Sequence, residues 1–534
     1  MHKLAHGSTL TREETPLFKL DSLSFHYPNG PTVLHNIDLE IFQGDKLAIV
    51  GANGSGKSTL AKHLNGLING NPEKIYYKGE PFTGRHLVNS RFEIGLLFQD
   101  PDDHLFCNTL YDDVAFGPLN QGKTREETEH IVENALAKVD LHKQQNQPAH
   151  YLSYGQKKRA ALAAILAMNP NTLILDEPTV NLDTKQVRII VELLKQFRGT
   201  IICISHDLFF LKEICQRALV LKQGSVHHDY SLHELMEAPA ALREHGLDFS
   251  FRFFCCGSNH DHIKGNHTHP ATNRPTPAHA ESRKSPDPLI QFKNFSYIYP
   301  NGTVGLNAVD LTIQKGERLA LLGENGAGKS TLANCLTGIA SGTGSYIFNG
   351  RTITAKNRKR LWKDVGIIFQ DSADQLFCPT CREEVAFGLK QRKLPESEIR
   401  QRVHEALALV HLEGFAERVP LDMSGGERKR LAIASVICLQ PQVLIMDEPT
   451  AGLDPQGEEM FLNIIQELDM TQILISHDLF LIAQHCRKAV IMTGGTIACE
   501  CPVEALVQNR DLEDTILGNF NLSLCKLQKN SHHA

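Results

Sequence analysis

The chain repeats itself. Lys57 and Lys329 lie 272 residues apart. Gln99 and Gln370, Ser153 and Ser424, Glu177 and Glu448, and His206 and His477 are each separated by 271 residues. A spacing held across five landmarks with a net slip of one residue means two homologous copies in tandem. Whatever one copy folds into, the other must fold into as well. The 534 residues are enough for two separate cores. Each copy carries Gly, four residues, then Gly-Lys-Ser: Gly51 to Ser58 and Gly323 to Ser330. An apolar run precedes each loop and a helix-forming run follows it. A loop of this kind wraps its backbone N–H groups around phosphates, and the helix after it points its positive end at them. Two such loops imply a nucleotide-driven machine with paired sites.

The pattern between the landmarks alternates strands and helices. Strand-like alternation covers 18–27 and 290–299, each ending in Tyr-Pro-Asn-Gly, a turn signal. Buried strands are predicted at 46–50 and 318–322, 94–98 and 365–369, 173–175 and 443–446, and 201–204 and 473–475. Amphipathic helices are predicted over 126–139 and 396–410. Strands alternating with helices imply a mainly parallel sheet. The expected domains are 16–245 and 289–520, joined by a linker over 246–288 and followed by a tail over 521–534. The linker holds His260, His262, His267, His269 and His279, and its prolines argue against periodic structure. Its imidazoles suit loose binding of a transition metal, although a plain polar tether is the simpler expectation.

Composition narrows the role. A net charge of -6 and a pI near 6.5 argue against a protein that coats nucleic acid. Apolar stretches such as 431–439 are far too short to span a bilayer, and the first residues lack a signal-peptide form. A soluble, cytoplasmic protein that reaches any membrane through partners is expected. The 13 cysteines are scattered through apolar segments, which suits reduced, partly buried thiols. Cys378 and Cys381 form a CxxC with no second pair or histidine at zinc-finger spacing, so packing is the expected role.

Lys57 and Lys329 are placed to neutralise the β- and γ-phosphates, and Ser58 and Ser330 to ligate Mg²⁺. The candidate cradles comprise Gly51, Asn53, Gly54, Ser55, Gly56 and Thr59 in one copy. In the other they comprise Gly323, Asn325, Gly326, Ala327, Gly328 and Thr331. Further along stand Leu152-Ser-Tyr-Gly-Gln156 and Met423-Ser-Gly-Gly-Glu427, each followed by a basic helix. A serine at a helix start, with unpaired backbone donors beyond it, can grip a γ-phosphate. The strands over 173–175 and 444–446 end in adjacent carboxylates, Asp176-Glu177 and Asp447-Glu448.

With these motifs in this order, both halves resemble ATP-binding cassette ATPases, whose signature reads Leu-Ser-Gly-Gly-Gln. The resemblance implies an α/β fold of two tandem P-loop NTPase domains. Each would have a mainly parallel sheet core, an antiparallel β part and a helical signature subdomain. It implies ATP and Mg²⁺ as cofactors, with Asp176 and Asp447 holding the ion through water and Glu177 and Glu448 polarising the attacking water. His206 and His477 match the histidine that contacts the γ-phosphate, Gln99 and Gln370 the loop glutamine that senses Mg²⁺ and water, and Tyr27 and Tyr299 the aromatic that stacks on adenine. Asp183 and Asp454 match the aspartate of the inter-domain loop. In this family the signature of one domain completes the nucleotide site of the other. Ser424 and Gly426 would then face Lys57, and Ser153 and Gly155 would face Lys329, the two halves pairing within one chain. Tyr154 replaces a signature glycine and Glu427 the terminal glutamine, so some asymmetry between two hydrolytic sites is expected.

After the loop glutamines come Asp100-Pro-Asp-Asp-His-Leu-Phe106 and Asp371-Ser-Ala-Asp-Gln-Leu-Phe377. Asp112-Asp-Val-Ala-Phe-Gly117 and Glu383-Glu-Val-Ala-Phe-Gly388 follow. These resemble the energy-coupling-factor import ATPases, especially the cobalt and nickel branch. The resemblance implies an ATPase on the cytoplasmic face of the membrane, working with an integral membrane coupling subunit and a membrane subunit that selects substrate. Leu105, Phe106, Leu376 and Phe377 are expected to dock the coupling subunit, and Val114 and Val385 to fill the subdomain core. Two other readings stay in view. A thiamine- or biotin-type vitamin importer would use the same ATPase. A tandem cassette ATPase acting on ribosomes would also lack membrane spans, but such proteins have long, charged, helical linkers unlike the Pro- and His-rich one here.

Overall fold

The strand Lys46–Val50 is apolar at every position after Lys46, and those positions are buried. Continuous apolar strands of this kind belong in a parallel sheet covered on both faces. The computed structural model describes residues 15–247 except 29, 69 and 183, and residues 288–508 except 325 and 373. The chain divides into two compact units, and each builds the same two sheets.

In the first half a six-stranded sheet runs Ser225–Ser231, Arg217–Lys222, Lys46–Val50, Thr200–Ile204, Thr172–Asp176, Ile94–Leu97. All neighbours are parallel except the first pair, which is an antiparallel hairpin. A four-stranded antiparallel sheet of Thr32–Ile41, Phe18–His26, Ile75–Tyr77 and Glu80–Pro81 shares a core with it. The second half repeats both sheets. Its larger one runs Val365–Ile368, Val443–Asp447, Thr471–Ile475, Arg318–Leu322, Lys488–Thr493, Thr496–Pro502, and its smaller one begins with Val304–Ile313 and Ile290–Ile298.

Beside the larger sheet of the first half, helices Leu110–Asn120, Arg125–Lys138 and Tyr154–Ala167 enclose a core of Leu110, Val114, Val132, Leu136, Ala160 and Ala163. Thr124 and Ser153 start two of these helices with reciprocal capping boxes. Their counterparts are Cys381–Gln391, Glu396–Leu409 and Gly425–Ile437.

Strand and helix boundaries fall within a residue or two of the sequence expectation. The strands Thr32–Ile41 and Val304–Ile313 were not expected. Asn36 and Ala308 take left-handed backbone angles within them, φ 47° for both, and break the period-two signal. The first compact segment extends through Leu247, whose side chain is fully buried and whose backbone follows the close of helix Pro239–Glu244. The linker histidines from His260 to His279 and the tail over 521–534 lie outside the described residues. Among the described residues, no helix is long and apolar enough to cross a membrane. Cys381 is buried with Sγ 3.3 Å from Met423 Sδ, and burial beside Glu384 pushes the Cys378 thiol up to about 11. Two unpaired thiols in those states suit packing, the expected role.

Ile174 sits in the middle of a central strand with no exposed surface. Truncating it to alanine should lower stability by about 2–5 kcal/mol. Calorimetry of Ile174→Ala should show an early transition ahead of that of the second unit, and an unchanged profile would contradict the assigned core.

Candidate nucleotide-binding site

The parallel strands of the first half all end on one edge of the sheet, and the candidate residues follow directly from those ends. Lys46–Val50 runs into the Gly-rich loop and then helix Lys57–Leu64. Gly51 has φ 145°, and a Cβ there would lie 2.1 Å from the Leu221 carbonyl. Gly56 has φ 98° at the helix N-cap. Only glycine fits such positions without strain. Lys57 Nζ reaches back across the loop to donate to Gly51 O at 2.7 Å and Ala52 O at 2.9 Å. Burial lowers its ammonium pKa.

Strand Thr172–Asp176 delivers the carboxylate pair. Asp176 is buried, and desolvation raises its pKa against a hydrogen bond from Ser58. Glu177 takes φ 47°, a left-handed angle rare outside glycine and asparagine, and its N–H donates to Ile204 O at 2.9 Å. This backbone costs on the order of 1–3 kcal/mol. It turns the chain off the strand end and leaves the Glu177 carboxyl inside. Burial raises the pKa of that carboxyl. His206, just past strand Thr200–Ile204, holds Nε2 3.3 Å from Glu177 Oε1 and 3.0 Å from Asn53 Oδ1. Burial, with Lys57 nearby, depresses its pKa to about 3, so the ring is neutral. One cavity gathers Lys57, Ser58, Gln99, Asp176, Glu177 and His206. Ser55 carries a buried hydroxyl with no hydrogen-bond partner in the same loop.

The second half repeats the arrangement from its own residues. Gly323 and Gly328 have φ 144° and 102°. Lys329 Nζ donates to Gly323 O at 2.6 Å and Glu324 O at 3.0 Å. Ser330 Oγ donates to Asp447 Oδ2 at 3.1 Å. Glu448 has φ 43°, and its Oε1 lies 3.5 Å from His477 Nε2. Burial and the Asp447 charge push its pKa up to about 8. The Ala327 side chain is buried, so only its backbone is available to the loop. Asn325, like Asp183, lies outside the described residues. Tyr27 and Tyr299 keep partly exposed rings, tethered by their hydroxyls to Thr59 Oγ1 at 3.3 Å and Thr331 Oγ1 at 2.7 Å.

Ser153 is not among the residues that line the cavity of the first half. Ser153 and Ser424 are helix N-caps, accepting from Gln156 N and Glu427 N at 3.3 Å. Gln156 and Glu427 return the bond to the serine N–H, both at 2.8 Å. Glutamate and glutamine serve equally in a capping box, so Glu427 is no defect. Tyr154 is different. Its hydroxyl donates to Gln99 O at 3.1 Å, a contact that Gly425 cannot supply in the second half.

Sequence reasoning missed three features. The left-handed glutamates and the Asn53–His206 contact give no signal in residue type. Lys158 and Lys429, within basic helix starts, point inward rather than to solvent. Lys158 Nζ donates to Phe98 O at 3.1 Å and to Gln99 O, while Lys429 Nζ donates to Gln370 O at 2.8 Å and Glu448 O at 3.2 Å. Burial lowers each to about 8. Leu105 and Leu376 overturn an expectation, since both are buried in the helical region and only Phe106 and Phe377 remain exposed. Leucine alternates with these phenylalanines across the loop, so one faces the core and the next faces out.

A phosphate loop opening a helix, a strand-terminal Asp-Glu pair and a histidine from the adjacent strand define a P-loop nucleoside triphosphatase. A family profile described as ABC transporter matches residues 34–180 and 306–451. A protein of Methanosarcina acetivorans described as an ABC transporter ATP-binding protein is 33% identical over 535 residues, covering 92% of this chain and 87% of its own. A protein of Caldanaerobacter subterraneus with the same description is 33% identical over 514 residues, covering 89% of each. A solved structure of cbiO1 from Clostridium perfringens, described as part of the ABC transporter complex cbiONQ, is 33% identical. It covers 46% of this chain and 99% of its own, with a TM-score of 0.41. The chain belongs to the ABC transporter family and is an ATPase with two ATP-binding cassette domains.

Glu448 gives this site a pH signature. Its folded-state pKa of about 8 stands above the ordinary 4.5. Between those values the folded chain holds a proton that the unfolded chain has released, so the contribution present below pH 4.5 is lost as pH rises toward 8. The permanently neutral Glu448→Gln avoids that loss. Without nucleotide or Mg²⁺, its melting temperature should match wild type near pH 5 and exceed it by a growing margin up to pH 8. A margin that does not change with pH would contradict the buried, protonated carboxyl.

Proposed function

We propose that this chain is the energy-coupling ATPase of an importer, docking on separate membrane subunits at the cytoplasmic face of a membrane. The observation that carries the reading is a pair of exposed aromatic knobs, one per half. Phe106 and Phe116 are 66% and 50% exposed with ring centroids 5.1 Å apart, and Phe377 and Phe387 are 66% and 44% exposed at 4.9 Å. Each knob is braced from beneath. Asp113 Oδ1 accepts from Phe106 N and Cys107 N, both at 2.9 Å, and Glu384 Oε2 accepts from Phe377 N at 2.9 Å and Cys378 N at 2.7 Å. In each half, therefore, the two motifs (Asp-Asp-His-Leu-Phe with Val-Ala-Phe-Gly in the first) build one surface together. A monomer gains nothing by holding two large apolar rings in water, and a preformed aromatic anchor is what a helix of a partner would grip.

In this reading Lys57 and Lys329 bind the β- and γ-phosphates, with the loop backbones supplying the remaining donors. Tyr27 and Tyr299 offer ring faces to the adenine. Glu177 and Glu448, in their ionised form, orient and polarise the attacking water, and His206 and His477 hold the γ-phosphate by a ring N–H. The carboxylates and hydroxyls of Asp176 with Ser58, and of Asp447 with Ser330, form hard-oxygen sets suited to Mg²⁺. Joined by Gln99 and Gln370 they would hold the ion, which would neutralise phosphate charge. Ser424 with Gly426 completes the site at Lys57, and Ser153 with Gly155 that at Lys329, so ATP closes the halves and hydrolysis reopens them. A small substrate, a divalent cobalt or nickel ion before a vitamin, follows from the resemblance of the Phe motifs to that branch.

Glu177→Gln with Glu448→Gln should slow ATP hydrolysis at least about 100-fold while ATP still binds, and should abolish uptake in cells. Full uptake in that double variant would overturn the transport cycle. Phe106→Asp with Phe377→Asp should move the folded protein from the membrane fraction to the supernatant. Persistent membrane co-sedimentation would refute the docking surface, and co-sedimentation of wild type with ribosomes alone would favour the translation reading.

A further inference from the structure

Three imidazoles converge in the first half, away from the nucleotide residues. His227 and His228 lie on strand Ser225–Ser231, and His245 caps the C-terminus of helix Pro239–Glu244. Their ring centroids form a near-equilateral triangle of 4.5, 5.0 and 5.1 Å. Neighbouring residues on a strand normally face opposite ways. Here the pairing of the hairpin slips between Val226 and His228, and this bulge at His227 turns both rings to one side. The second half has the same slip in its hairpin, where Ile497 and Cys499 flank Ala498. The backbone therefore forms the bulge without histidines, and the imidazoles of the first half are an addition that the fold does not require.

We propose that His227, His228 and His245 form a binding site for a divalent transition-metal ion of the cobalt, nickel or zinc type. Each ring offers one nitrogen, and these nitrogens all lie within 4.8 Å of one another. His227 Nδ1 and His228 Nδ1 are only 2.8 Å apart, a separation at which two neutral rings share one proton and a cation can replace it. Metal–nitrogen bonds of about 2.0–2.1 Å in a tetrahedral site set nitrogens about 3.3 Å apart. The 2.8 Å pair lies below that value and the remaining nitrogens lie within 4.8 Å, so small rotations of the rings suffice. His245 is 4% exposed, and its Nδ1 is buried without a hydrogen-bond partner, a cost that a metal would relieve. Glu244 Oε1 lies 3.8 Å from His227 Nε2, on the side of the ring away from His228, and its charge supports that ring from outside the cluster. Tyr230 supplies the outer support that orients metal-binding imidazoles. Its ring stacks on His228 at 5.0 Å, and its hydroxyl lies 3.5 Å from His245 Nε2. Imidazole nitrogens select late first-row divalent ions over Mg²⁺ or Ca²⁺. A bound ion would fasten the edge strand of the larger sheet to the end of helix Pro239–Glu244. The site stands whether or not the protein drives import.

Calorimetric titration of the chelator-stripped full chain with ZnCl₂ and NiCl₂, in the absence of nucleotide, tests it. The linker histidines are separated out by a variant carrying asparagine at His260, His262, His267, His269 and His279. One tight site per chain is expected in wild type and in the linker variant. His227→Asn with His228→Asn, and His245→Asn alone, should each weaken that site at least about tenfold while ATP binding certifies the fold. Co²⁺ should give visible ligand-field bands in wild type that vanish in the same variants. No tight site in wild type, a tight site lost only in the linker variant, or equal affinity in the triad variants would overturn the proposal.

Discussion

Everything in each half hangs on parallel strands that end together on one edge of a buried sheet. Strand Lys46–Val50 leads to the phosphate loop, Ile94–Leu97 to Gln99, Thr172–Asp176 to the carboxylate pair, and Thr200–Ile204 to His206. Residues more than 150 positions apart in sequence meet there because the sheet aligns the ends of their strands. The same edge is where the chain accepts its electrostatic costs. Ammonium, carboxyl and imidazole groups are buried side by side, and each is pushed toward its neutral form by burial. Such a site is poised for a ligand that brings both phosphate charge and a counter-cation.

The signature helix is locked to that edge by a single buried lysine. Lys158 and Lys429 reach from the first turns of their helices to the carbonyls of Gln99 and Gln370, at the loops that leave the outer strands. An ammonium in an apolar setting has few partners to choose from, so these bonds fix where the helix begins relative to the sheet. Because the capping serine lies just ahead of the lysine, movement at the glutamine loop would be transmitted to the signature. Tyr154 adds a second donor to the same carbonyl in the first half alone, a structural difference between the two halves.

The two halves share a backbone and differ in what they hang on it. Their phosphate loops, left-handed glutamates and aromatic knobs match almost atom for atom in role. The edge hairpins share a bulge yet carry His227-His228 in one half and Ala498-Cys499 in the other. Duplication preserves what ATP chemistry demands and frees the remaining surface to diverge. Regions of that kind are where an added site can arise without disturbing hydrolysis.

The sequence by itself determined the duplication, the strands and helices that carry the motifs, the phosphate loops, the carboxylate pairs and the family. Those signals are local, written in glycine spacing, apolar runs and short motifs, and local pattern is what sequence reading detects. Tertiary structure alone decided which of two neighbouring residues faced in. Leu105 and Leu376 went to the core and Phe106 and Phe377 to solvent, because a carboxylate from the next helix fixed the loop between them. It also decided that Lys158 is an interior ligand of a carbonyl rather than a surface charge, and that Glu177 sits in a left-handed turn. It also decided the place of His227 and His228, which a bulge turns together toward His245, arriving from a helix beyond the hairpin. Such outcomes depend on the register of strands and on groups distant in sequence, and no window of residues contains both partners.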